Sequence, residues 1–258
     1  MAAPTYVNHG TNSSTGTSPA APGYPASLAS GDLLVLETIV REQSGSCTVD
    51  TPSGWTARGV IQGGAGTEYA DTGNVRVAVF TKESDGTESG TLSVVASGGS
   101  LSVLVARISA YRKTGGTTWD IAHATATDNA GGASSLSFVF GTDPGLETDD
   151  WAVCCVGVNT DAFTYSAHAL TASGITEGTV TVRYSNGTTT GNDAYKMLST
   201  HAIASGTSAG VPTLAITASG NAADAPAGAA ILVRLREVAA AGTVIPLFMH
   251  NYRQRRSA

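Results

Sequence analysis

The chain has 258 residues, a net charge of −6 and only 13% charged residues, and its 31 glycines sit among abundant Ser, Thr and Ala. That length allows one large domain or two small ones, and so many turn formers point to short strands joined by tight turns. A net acidic chain is a poor general nucleic-acid binder, no apolar run reaches the ~18 residues of a membrane span, and three cysteines, two of them adjacent, make no disulfide framework.

Residues 10–31 are rich in Gly, Ser, Thr, Pro and Ala, and Pro19, Pro22 and Pro25 forbid a helix. An extended arm or long loop with one short edge strand is expected there, docking onto a neighbouring subunit. Residues 33–40 form a near-continuous apolar run, which reads as a buried central strand. Thr51-Pro52-Ser53-Gly54 is a turn whose glycine is free to take positive φ and aim Trp55 at the core. Strands are expected at 55–61, 75–81, 91–96 and 101–111, with Ser84-Asp85-Gly86-Thr87 as turn chemistry. In the last strand Val103, Val105, Arg107 and Ser109 share one face, and Leu104, Ala106, Ile108 and Ala110 share the other.

The second half parallels the first. Asp149-Asp150-Trp151-Ala152-Val153 matches Gly31-Asp32-Leu33-Leu34-Val35 at an offset of 118, and Ser173-Gly174-Ile175-Thr176 matches Ser53-Gly54-Trp55-Thr56 at 120. Ala230-Ile231-Leu232-Val233-Arg234-Leu235 is set against Val103-Leu104-Val105-Ala106-Arg107-Ile108, and Trp119 to His123 against Thr5 to His9. Landmarks that keep their order imply an internal duplication. The expected fold is all-β: two tandem jelly-roll-like β-sandwich units, or one large pseudo-symmetric sandwich, with extended terminal arms. The units are 1–113, including the arm, and 114–238. Residues 239–258 break the pattern, with a linker, a short apolar run containing Leu247 and Phe248, and then Tyr252, Arg253, Arg255 and Arg256. They read as a docking tail whose apolar part fills a neighbour's groove while its arginines meet an acidic surface; fraying is the plainer reading.

Gly31-Asp32-Leu33-Leu34-Val35, Thr51-Pro52-Ser53-Gly54-Trp55-Thr56, Val79-Phe80-Thr81-Lys82 with Asp85-Gly86-Thr87-Glu88, and the closing Gly228 to Leu235 together resemble phage-encoded virion proteins, chiefly minor tail and accessory structural proteins. The match in order and spacing spans most of residues 5–237. Such proteins tend to close on Leu-Arg-Pro, whereas Leu235-Arg236 is followed here by Glu237. The resemblance implies a non-enzymatic structural component of a virion, a minor tail or tail-attached protein that contacts other virion subunits and copies of itself. The alternatives are a capsid decoration protein and a carbohydrate-binding fibre or receptor-binding module. Met1-Ala2-Ala3-Pro4-Thr5 has neither a basic region nor an apolar core, so synthesis in the host cytoplasm without a secretory signal is expected. No nucleic-acid or membrane partner is expected.

Chemistry leaves little mark. His9, His123, His168, His201 and His250 show no metal-ligand spacing, there is no Gly-x-Ser-x-Gly elbow, and no catalytic residue, metal or cofactor is predicted. Glu147, Asp149 and Asp150 read as a solvated turn before a strand. Cys154 and Cys155 lie in a strand, so their side chains point to opposite faces. Sugar sites stack rings on exposed aromatics, and Tyr69, Phe163 and Tyr165, with Tyr184, are the candidate glycan contacts.

Overall fold

Leu33, Val35, Glu37 and Ile39 alternate with Leu34, Leu36, Thr38 and Val40, and all eight are buried. A strand buried on both faces needs a layer above and a layer below, and the fold supplies both. The computed structural model describes residues 3–64, 67–68, 71–72, 74–129, 135–159, 164–187, 194–219 and 227–239. They form strands β1 (Thr5–His9), β2 (Ser13–Thr15), β3 (Leu33–Val49), β4 (Thr56–Gly63), β5 (Thr67–Glu68), β6 (Asp71–Thr72), β7 (Val75–Glu83) and β8 (Ala96–Arg112). These are followed by β9 (Thr118–Asp128), β10 (Ser135–Val139), β11 (Trp151–Val158), β12 (Thr164–Thr171), β13 (Ile175–Gly187), β14 (Tyr195–Gly206), β15 (Thr213–Ser219) and β16 (Gly228–Val238). The described chain is all-β, with antiparallel sheets in sandwich-like packing.

The first inner sheet runs β1-β8-β3-β7-β4, and the second runs β9-β16-β11-β14-β13. The order is the same in both. Register fixes the equivalent positions. Leu33 lies opposite Tyr111 and Glu83, as Trp151 lies opposite Leu235 and Ala202. Phe80 is therefore the counterpart of Ser199, and Arg112 of Arg236. His9 faces Ser109 as His123 faces Val233, so the two histidines correspond, as the sequence alignment had them. The alignment of the closing strand is corrected: Arg234 lies opposite Ala152 and Ala110 opposite Leu34, so Arg234 matches Ala110 and not Arg107. A run of small apolar residues slides along another without penalty until hydrogen bonds set the register.

Three cores result. The two inner sheets face each other across Val35, Ile39, Val77, Val105, Val153, Leu198, Ile231 and Val233. Contact here is close: a Cβ on Gly157 would lie 2.8 Å from Val77 and 3.1 Å from Ile39. The outer face of the second sheet is covered by a separate lid sheet, β10-β15-β12, over Phe138, Leu214, Cys154 and Leu232. The outer face of the first is covered by the arm and by chain near Trp55 and Val94. The arm therefore packs on its own unit: Ala20 pairs with Val94, Gly23 with Thr91, and Tyr24 and Leu28 join the core. The strand expected at 91–96 is reduced to these isolated bridges, because β8 takes over at Ala96.

Two buried carboxylates staple the halves in the same way. Asp32 accepts the Ala29 N–H and both Nε and Nη2 of Arg112. Asp150 accepts the Glu147 N–H and both Nε and Nη2 of Arg236. Asp150 is thus a buried clamp, a correction to the solvated turn expected from sequence. Gly54 takes φ +79°, and Trp55 is buried in the outer core as expected. Cys154 and Cys155 are free, fully buried and on opposite faces.

Candidate functional site

The shared strand order places one bulged arginine at each seam between the inner sheets. In β4 the register slips between Ala57 and Gly59, which isolates Arg58; in β13 it slips between Val182 and Tyr184, which isolates Arg183. A bulge re-aims the extra residue. Arg58 Nε donates to Thr81 Oγ1 at 2.7 Å, and Arg183 Nε donates to Thr200 Oγ1 at 2.9 Å. Thr81 and Thr200 are counterparts, so the two constellations are copies. The signal in the sequence is Thr56-Ala57-Arg58 against Thr181-Val182-Arg183, which the alignment of landmarks passed over.

The two seams are filled differently. Arg183 lies over the Tyr6 ring at 4.1 Å and the Trp151 ring at 5.4 Å, stacks in which the cation meets the negative ring faces. Arg107 lies 4.4 Å over Tyr184, whose hydroxyl donates to the buried Glu37 carboxylate. Lys196, fully buried, lies 4.8 Å over the same ring and donates to Asn12 Oδ1 at 2.6 Å. Burial pushes the Glu37 carboxyl up to about 7 against the pull of Lys196 and the Tyr184 hydroxyl. Burial likewise brings the Lys196 amine down to about 7 against the pull of Glu37. His9 is held below its ordinary value by burial and by Arg107, Lys196 and Arg183. Among the described residues, Glu37 Oε1, Ser109 Oγ and the Tyr111 hydroxyl are buried here without hydrogen-bond partners.

At the other seam the counterparts of Tyr6 and Trp151 are Ile121 and Leu33. The smaller side chains leave a groove of about 300 Å³, bounded by Arg58, Thr56, Thr81, Glu83, Trp119 and Ile121. Among the described residues Arg58 makes no ion pair, and burial lowers its pKa. Lys82 is paired with Glu88 at 2.9 Å, and Glu83 with Lys113 at 2.7 Å. Trp119 is half-buried, and its Nε1 donates to Gly31 O at 3.0 Å.

A third polar cluster links the second inner sheet to its lid. Ser199 Oγ lies 2.8 Å from His201 Nε2, and His201 Nδ1 lies 2.6 Å from Glu177 Oε1. That is the hydrogen-bond order of a nucleophile, its base and an orienting acid, and no spacing in the sequence announced it. Ser199 and His201 are fully buried, however, and His168 of the lid closes on Ser199 at 3.1 Å. Glu177 also accepts the Leu170 N–H from the lid. Sealed in this way, Ser199 offers no face to a substrate, and the chain of bonds ties two layers together. Burial, with His201 nearby, pushes His168 down to about 4.

Of the glycan contacts predicted from sequence, Tyr165 is 7% exposed and packed on Tyr195 at 4.6 Å, so it has no open ring face. Tyr184 is 8% exposed and bonded to Glu37. Tyr69 and Phe163 lie outside the described residues, as do the tail residues Leu247, Phe248, Tyr252, Arg253, Arg255 and Arg256. Among the described residues no group of His, Cys, Asp or Glu is arranged to hold a metal ion. The groove beside Arg58 and Trp119, which sequence reasoning missed, is a candidate site among the described residues. Set against family models, curated proteins and solved structures, the chain matches none of them.

Proposed function

We propose that the chain is a non-enzymatic structural component of a phage virion, a minor tail or tail-attached protein built as two tandem jelly-roll-like units with a shared central interface. The observation that carries this reading is the use of its landmark residues. Asp32 and Asp150 clamp Arg112 and Arg236, Gly54 turns the chain, and Trp55 fills a core. Landmarks spent on closing the fold are what a building block requires, with contacts left to its outer surfaces. Because residues 10–31 close their own unit, docking on a neighbour falls to segment 239–258, of which 240–258 lie outside the described residues.

Mass spectrometry of separated heads and tails from purified particles tests this. Presence in tails supports the reading, and high copy number in heads replaces it with capsid decoration. Absence from both overturns it. Deleting 244–258 is expected to abolish incorporation while leaving the melting temperature unchanged. The second reading, a carbohydrate-binding module, is favoured by the groove beside Trp119, where an aromatic ring, hydroxyls and charged groups converge.

A further inference from the structure

We propose that the groove between β4, β7 and β9 binds one ring of a carboxylated saccharide, with Arg58 holding the carboxylate. This rests on the second, carbohydrate-binding reading above. The same Arg–Thr bulge occurs twice at the seams between the inner sheets, once beneath the molecule's own rings and once beside a groove. Over Arg183 the molecule supplies its own rings, Tyr6 and Trp151. Over Arg58 the counterpart positions carry Ile121 and Leu33, and a groove of about 300 Å³ stands beside them. What the open seam lacks is the volume of a ring and something to lie against a guanidinium.

The lining selects the class of ring. Thr56, Thr81 and Glu83 put hydroxyl and carboxylate oxygens on the groove wall beside Trp119. Thr81 Oγ1 already accepts from Arg58 and Glu83 Oε1 from Lys113, so Thr56 and the other oxygen of Glu83 are left to meet a guest. A purely aromatic guest would cover them without pairing them, which costs binding energy, whereas a sugar offers hydroxyls to them and a C–H face to an indole. The charge count selects the substituent. Lys82 is neutralised by Glu88 and Glu83 by Lys113, and among the described residues Arg58 is left without an acidic partner. Its Nε is committed to Thr81, so the η nitrogens remain for a carboxylate.

The test is calorimetric titration of the full chain with trigalacturonate and with its methyl-esterified, uncharged counterpart. The acid is expected to bind, and the ester to bind about tenfold more weakly or less. Arg58→Gln is expected to weaken binding of the acid by about the same factor. Ile121→Tyr, which closes the groove as Tyr6 closes the other seam, is expected to block binding with Arg58 still in place. Arg183→Gln, the same change at the covered seam, is expected to leave affinity unaltered. Melting temperatures of the three variants separate loss of the site from loss of the fold. Absence of binding by the acid overturns the proposal, as does binding that survives both Arg58→Gln and Ile121→Tyr. Equal affinity for acid and ester overturns the role of the carboxylate. None of these results touches the virion reading, which particle fractionation tests separately.

Discussion

The two halves share a strand order and differ in what fills them. In the first unit the outer face of β7 presents Phe80 to an apolar core with Leu36, Leu104 and Ile108. In the second, the counterpart of Phe80 is Ser199, wired to His201, Glu177 and His168. The lids differ in the same sense: an irregular arm and long strands in one, a discrete three-stranded sheet in the other. The two seams repeat the lesson, one stacked with rings and one left open. Topology survives because it needs only hydrogen-bond register and an apolar alternation. The filling is free to diverge wherever buried polar groups find partners.

The comparison is broken most severely at Phe80. Phe80→Ala should cost about 3–5 kcal/mol by denaturant titration, since it empties a packed core. The paired clamps come next. Asp32→Ala and Asp150→Ala should each cost about 2–3 kcal/mol, because each strips a guanidinium of a charge-assisted bond. Similar losses support equivalence of the two halves, whereas a loss at only one shows that a single clamp carries the fold. Gly157→Ala should cost about 1–3 kcal/mol by pushing Val77 and Ile39 of the facing sheet away across the central core.

The smallest effects are in pH dependence, where the two faces of β14 pull in opposite directions. His168 is held near 4 in the folded chain against an ordinary 6.5, so the unfolded state binds more protons between those values. Its contribution to stability is present above pH 6.5 and is lost as pH falls towards 4. His168→Leu should flatten that decline in melting temperature. Glu37 is pushed up to about 7 from 4.5, so here the folded state holds the extra proton. Stability should therefore fall as pH rises from 4.5 to about 7, and Glu37→Gln should remove that component. The difference between each variant and the parent chain isolates the two opposed slopes.

Much of this was legible in the residues. The apolar run at 33–40, the Pro-Ser-Gly turn before Trp55 and the two-faced pattern of 103–110 each fix a local geometry, because side-chain alternation and positive φ are properties of neighbouring residues. The repeated Asp before β3 and before β11 carried the duplication. The register of the closing strand was not legible, since Ala-Ile-Leu-Val fits several alignments equally well. Nor was the burial of Tyr165 and Tyr184: an aromatic residue reads alike on an open face or in a core. The candidate site was missed because its parts, Arg58, Thr81, Glu83 and Trp119, come from three strands and gain meaning only beside their counterparts.

The sequence by itself determined the buried strand at 33–40, the turn before Trp55 and the likeness in order of the two halves, because these depend on contacts between near neighbours along the chain. Only the tertiary structure decided that the halves share a central core and that the arm closes its own unit. It also decided that one seam is stacked with Tyr6 and Trp151 while the other stands open at Arg58. Those outcomes depend on which face meets which across layers, and on the few ångströms by which an isoleucine falls short of a tyrosine.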